Sequence, residues 1–140
     1  MLQPVRPDTP AFETFVEALT TAGLPTSDLD QDAAEYFALD EGAYGGVAVY
    51  GTDGLLRSLV VPASKRRRGT GSTLLEQLLE HARSAGVLDV WLLTTSAEAF
   101  FARHGFEETE RANAPVVIAG TSQFKDLCPA SATLMHKRIG

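Results

Sequence analysis

The chain has 140 residues, 44% of them hydrophobic, which is enough for one domain with a sizeable core and leaves no room for a second. A net charge of −6 argues against general nucleic-acid binding and makes the basic run 65–68 a local feature of an acidic protein. One cysteine excludes an internal disulfide and a thiolate-rich zinc site, and no apolar run approaches a membrane span. With no basic region followed by an apolar stretch at its start, the chain is expected to be cytoplasmic, without a metal and without a membrane partner.

Thr9 and Pro10 read as the cap and first residue of a helix whose Phe12, Phe15, Val16 and Leu19 share one face and which Gly23 ends. Residues 24–32 are polar and turn-rich, with room for a short second helix or lid. Residues 36–39 and 47–50 read as strands joined around Glu41-Gly42 and Gly45-Gly46, and Thr52-Asp53-Gly54 as a hairpin turn into an apolar strand at 55–61. Strict alternation puts Leu56, Ser58 and Val60 on one face of that strand and Leu55, Arg57, Leu59 and Val61 on the other.

The strand feeds a basic, glycine-punctuated turn ending at Gly71, then a helix with an apolar stripe of Leu74, Leu75, Leu78, Leu79 and Ala82 that Gly86 ends. Such a turn is a phosphate cradle: Arg66, Arg67 and Arg68 supply positive charge, and the backbone at Gly69, Thr70 and Gly71 offers amides at the positive end of a helix dipole. A nucleotide-hydrolysing loop needs Gly-Lys-Ser/Thr, and a dinucleotide fingerprint needs a third glycine or alanine; Ser72, Thr73 and Leu74 satisfy neither. What remains is Arg66-x-x-Gly69-x-Gly71 between a strand and a helix.

Val90 to Leu93 reads as a buried strand, and Thr95-Ser96-Ala97-Glu98 as a capping box opening a short helix that carries Phe100 and Phe101 and stops at Gly105, before Phe106. Residues 115–118 and 131–137 read as two last strands around a helical turn at 121–127. The expected fold is α/β of the α+β kind, a mixed, mostly antiparallel sheet with helices on both faces.

The Arg66-x-x-Gly69-x-Gly71 turn resembles the pyrophosphate-binding signature of the GCN5-related N-acetyltransferases, and Phe101 to Phe106 is similar to that family's second motif. The runs 55–59 and 92–101, Ala114-Pro115 and the segment 124–132 resemble the acetyltransferases encoded beside arsenic-resistance genes. The resemblance implies one N-acetyltransferase domain over residues 1–140, acetyl-CoA as cosubstrate, a small-molecule amine as acceptor, a role in arsenic resistance, and pairing of copies through terminal strands. It also implies that the backbone of Leu59, Val60 and Val61 binds the acetyl carbonyl, and that Thr94 and Phe101 contact the cofactor. Thr94 stands where relatives carry asparagine, and Phe101 where many carry the tyrosine that protonates the departing thiolate.

Among polar residues near this site, Arg57 suits an acceptor carboxylate or an arsenic or phosphorus oxyanion, or else pairs with Asp40 or Glu41 on a solvated face. Ser58 is a water-holder or a filler of the strand; Glu41 and Glu98 are bases acting through water, Glu98 alternatively only completing its cap. Cys128 either contacts the acceptor or is a buried, inert thiol. His104 reads as a complement to a helix C-terminus, and His81 and His136 show no paired partner in sequence. Two rival functions follow: a degenerate acyl-CoA-binding sensor, because the tyrosine is missing, and a metalloid-binding protein acting through Cys128.

Overall fold

The computed structural model describes residues 3–5, 10–21, 34–39, 43–61, 69–95, 97–121 and 132–140. In chain order these form strand β1 (Gln3–Val5), helix α1 (Pro10–Thr21), strands β2 (Ala34–Ala38), β3 (Tyr44–Tyr50) and β4 (Asp53–Val60), helix α2 (Thr70–Ser84), strand β5 (Asp89–Thr94), helix α3 (Glu98–Arg103), strand β6 (Glu107–Thr109), a 3-10 turn (Arg111–Asn113), helix α4 (Val116–Ala119) and strand β7 (Thr133–Arg138). The strands make one seven-stranded sheet in the order β1-β2-β3-β4-β5-β7-β6. Every neighbouring pair is antiparallel except β4 with β5. This is the expected mixed, mostly antiparallel α/β architecture.

Side-chain alternation divides the core into two layers. On one face, Phe37, Val47, Leu56, Val90, Leu92 and Met135 meet the buried stripe Leu74, Leu75, Leu78 and Leu79 of α2 and Phe101 of α3. On the other face, Tyr36, Tyr44 and Val60 receive Phe15 and Leu19 of α1, and Ala48, Leu55, Trp91 and Leu134 receive Ile118 of α4. Two glycines of β3 permit this close approach. A Cβ on Gly45 would stand 2.7 Å from Leu78 Cδ1, and one on Gly46 would stand 2.6 Å from Tyr36 Cδ1.

Helices α2 and α3 stop alike. Gly86 and Gly105 take left-handed φ values of 93° and 89°, and the next amides, Val87 and Phe106, donate back to Ala82 O (3.0 Å) and Phe101 O (3.1 Å). These are the paired bonds of a Schellman ending, which satisfy carbonyls the helix would otherwise orphan.

Four expectations need correction. Residues 115–118 are not a strand: Ala119 N–H donates to Pro115 O and Gly120 N–H to Val116 O, a helical turn. The β-branched Val-Val-Ile run misleads here because only Ile118 is buried, while Val116 is 90% exposed, and strand propensity expresses packing on a sheet. The hairpin turn is Gly51-Thr52, since Tyr50 pairs with Asp53 and Gly51 supplies the left-handed φ of 67°. Helix α3 has Ala97 at its N-cap with no side-chain cap bond, so the capping box of Thr95 and Glu98 does not form. The edge strands β1 and β6 carry too few residues to show a period and escape sequence reading. The cap at Thr9, the end at Gly23, the segment 24–32 and the helical turn at 122–127 lie outside the described residues.

The fourth correction concerns β4. Its register with β3 shifts between Tyr44↔Val60 and Gly46↔Arg57, and Ser58 within the shift has a φ of 58°. One extra residue in one strand is a β-bulge, and it inverts the alternation beyond it. Leu56, Leu59 and Val61 therefore pack on the α2 side, whereas Leu55 and Val60 pack on the side of α4 and α1. Neither predicted face survives.

Two outcomes are expected. Ser58→Gly should raise unfolding free energy by up to about 1 kcal/mol and Ser58→Val lower it by about 1–2 kcal/mol, because left-handed backbone penalises a Cβ and most of all a branched one; denaturant titration reads both. Burial pushes the Tyr44 phenol up from its ordinary 10.0. The folded chain then holds that proton more tightly than the unfolded one, so this contribution is complete below pH 10 and fades as pH rises through the folded value. The stability lost between about pH 9 and about pH 11 should be smaller in Tyr44→Phe, and an equal loss would show that the phenol is not the group responsible.

Candidate active site

The site begins where the sheet comes apart. The parallel ladder between β4 and β5 holds only from Asp53↔Asp89 to Leu55↔Trp91, although β4 runs on to Val60 and β5 to Thr94. Among the described residues the β4–β5 ladder does not continue beyond Leu55↔Trp91. Where the two strands part, a ligand lying between them can approach the main chain of β4.

Helix α2 starts beside this cleft. Gly69 is its N-cap, with φ 73°, a conformation that only glycine adopts at low cost. The helical ladder begins with Thr73 N–H donating to Gly69 O (3.0 Å), so the amides of Gly71 and Ser72 are not consumed along the helix. A Cβ on Gly71 would lie 3.4 Å from Phe100 Cζ and 3.7 Å from Val61 Cγ2. Gly71 thus seats the first turn of α2 against α3 and the end of β4. Thr70 is buried at the same end. Arg66, Arg67 and Arg68 lie outside the described residues, as do Glu41 and Cys128.

The remaining candidates fall on both sides of the sheet. Leu59 and Val61 pack toward α2 and Val60 toward α1, so these three side chains divide between the two layers of the core. Arg57 is 3% exposed, with its guanidinium carbon 5.9 Å from the centre of the Tyr36 ring, within cation-π range. Burial to this degree removes the solvated face from the alternative reading of Arg57, whose named partners Asp40 and Glu41 lie outside the described residues. Thr94 Oγ accepts the Ala97 N–H (3.0 Å) and holds the entry to α3. Phe101 is 7% exposed in the α2-side core, edge-on to Phe106 at 5.6 Å.

Four arrangements had no local signal in sequence, although Glu98 itself is a candidate base by sequence. Glu98, on the first turn of α3, buries Oε1 with no hydrogen-bond partner among the described residues. His104 is not a bare dipole complement, because its Nε2 lies 2.9 Å from Ser72 Oγ. His136 and His81 have partners after all: His136 lies 2.8 Å from Asp89 and stacks on Trp91, and His81 lies 3.6 Å from Glu35 and against Phe37. Each pair joins residues far apart in the chain. Among the described residues no cluster of His, Cys, Asp or Glu could hold a metal ion, and no helix is long and apolar enough to cross a membrane.

This geometry has known counterparts. The chain superimposes over its whole length on N-acetylglutamate synthase from Neisseria gonorrhoeae, solved with coenzyme A and N-acetyl-glutamate, at 16% identity and a TM-score of 0.76, spanning 35% of that chain. It matches Rv2747 from Mycobacterium tuberculosis, solved with CoA and a second ligand, at 20% identity and a TM-score of 0.77, covering 99% of both chains. Tetrahymena GCN5 matches at 17% identity and a TM-score of 0.75, with 100% of this chain and 96% of that one covered. No curated protein matches it in sequence. The family model for the acetyltransferase (GNAT) domain matches residues 32–108, more than half of the chain and a span that holds the splayed strands, the glycine-capped helix and α3. The chain therefore belongs to the GNAT acetyltransferase family.

Proposed function

We propose that the chain transfers the acetyl group of acetyl-CoA to the amine of a small acceptor, and that the acceptor is an amino-acid-like molecule, an arsenical or phosphinic analogue included, in cytoplasmic arsenic resistance. One observation carries the transfer reading: the β4–β5 ladder ends at Leu55↔Trp91 beside the glycine-capped start of α2, in a chain of the GNAT family. The small acceptor is supported by the two relatives solved with a second ligand beside the coenzyme. The arsenic context is supported by the resemblance of segments 55–59, 92–101 and 124–132.

When bound, acetyl-CoA supplies a thioester activated toward attack by nitrogen. The chain's own part is to hold and to deprotonate. Amides of Leu59 to Val61 donate to the carbonyl oxygen as it gains charge, an arrangement that needs no reorganisation at the moment of reaction. Arg57 presents a planar fork to an acceptor oxyanion. Glu98 receives the proton of the attacking amine through water. As the new C–N bond forms and the C–S bond breaks, the nitrogen gives up that proton and the sulfur takes one from solvent, since Phe101 carries none to give. Phe101 also favours a second reading, a chain that binds an acyl-CoA as a sensor without turnover.

Calorimetric titration with acetyl-CoA, followed by thiol-release assays against amino acids and their arsenical and phosphinic analogues, separates these readings. Binding with turnover of one acceptor is the expected result; binding without turnover supports the sensor, and no binding overturns both. Arg57→Met should raise the acceptor's KM by about tenfold or more and leave that of acetyl-CoA nearly unchanged, and equal effects on both would return Arg57 to a packing role. Glu98→Gln should lower kcat by about 100-fold with little change in either KM; an unchanged kcat removes Glu98 from proton transfer.

A further inference from the structure

A serine on the first turn of α2 and a histidine at the far end of α3 meet beside the N-terminus of α2. Ser72 Oγ and His104 Nε2 are 2.9 Å apart. The histidine is held on three sides. Its ring lies 5.0 Å from that of Phe100, the same ring that a Cβ on Gly71 would touch. Its carbonyl accepts a hydrogen bond from Lys137 Nζ of β7 at 2.7 Å. The charged groups near it are cationic, Lys137 from β7 and Arg103 from its own helix, and no described carboxylate forms an ion pair with its ring.

A serine hydroxyl has one proton and can direct it only one way at a time. If Nε2 lacks a proton, it takes the serine's, and the oxygen then presents only lone pairs to an anion at the end of the helix. If Nε2 carries a proton, it donates to Oγ, and the serine's own proton is left to point elsewhere. Neutral imidazole with its hydrogen on Nε2 and imidazolium both meet the second condition, and imidazolium adds positive charge.

We propose that His104 is a positioning residue for the diphosphate of the acetyl donor: its Nε2–H donates to Ser72 Oγ and turns the serine proton toward the phosphate oxygens at the N-terminus of α2. This rests on the acetyl-CoA reading. It adds a side-chain donor, the Ser72 hydroxyl of α2, whose direction is set from the end of α3 through a pair that no part of the glycine turn encodes. A hydrogen bond to a charged oxygen is worth more than a neutral one, so its loss should be visible in affinity.

The test compares acetyl-CoA with acetylpantetheine, which carries the same thioester without the diphosphate. In His104→Leu and in Ser72→Ala, kcat/KM should fall about tenfold further with acetyl-CoA than with acetylpantetheine. His104→Gln, whose amide can donate from a similar place, should recover most of that difference, and the double variant should lose no more than either single one. Equal losses with both donors, no loss, or a glutamine variant as poor as the leucine one would overturn the assignment. If the unaltered chain fails to bind coenzyme A, the reading beneath falls and takes this assignment with it; binding by the unaltered chain with unaffected variants sinks the assignment alone.

Discussion

The bulge at Ser58 is the constraint on which the rest of the molecule turns. Up to Arg57, β4 is an ordinary central strand, paired with β3 on one side and, at its start, with β5 on the other. One extra residue there increases local twist and reverses which face each later side chain meets. Leu59 and Val61 are thereby delivered to the α2 layer and Val60 to the α1 layer. The same irregularity lies where the β4–β5 ladder has already ended, so the bulge falls in the stretch of main chain that forms the wall of the candidate site. Stability and site are one piece of geometry.

Around that wall the two layers act as clamps of different kinds. The α2 side is a leucine-rich contact in which Leu74, Leu75 and Leu78 are fully buried, and truncating one such side chain typically costs about 2–5 kcal/mol. The α1 side is aromatic, with Phe15 tilted against both Tyr36 and Tyr44 at 5.1 and 5.2 Å, contacts that add to area burial through ring geometry. Arg57 lies over the Tyr36 ring on this aromatic side. Almost wholly removed from solvent, the guanidinium meets an electron-rich ring face in place of water.

Much of this could be read directly from the residues. The stripe from Leu74 to Ala82 declares α2 and the glycines at 86 and 105 declare two helix ends, because each signal is local and follows from backbone chemistry. The bulge was hidden because Leu-Leu-Arg-Ser-Leu-Val-Val alternates acceptably with or without an inserted residue; only pairing with β3 reveals the shift. Val116-Val117-Ile118 misled because β-branched residues signal a strand only where a sheet receives them. The pairs Ser72 with His104 and Asp89 with His136 could not be seen at all, since a side chain's partner thirty or more positions away is set by the fold. The candidate site was therefore legible as a place and far less so as a set of contacts.

The order of strands also governs how the chain can assemble. β7 lies between β5 and β6, so the last strand enters the sheet between two that precede it. Until residues through Arg138 are available, Trp91 and Leu92 lack their partners His136 and Met135, and β6 has nothing to pair with. On the ribosome, the nascent chain must then emerge with one edge of β5 uncovered, a surface that invites pairing with other chains. Closure through so distant a segment is slow in general, because the entropy of joining remote parts is spent before the contacts that reward it are made. Completion of this half of the sheet is thus expected to be a late event in folding, and the interval before it is the time when these strands have most need of a chaperone.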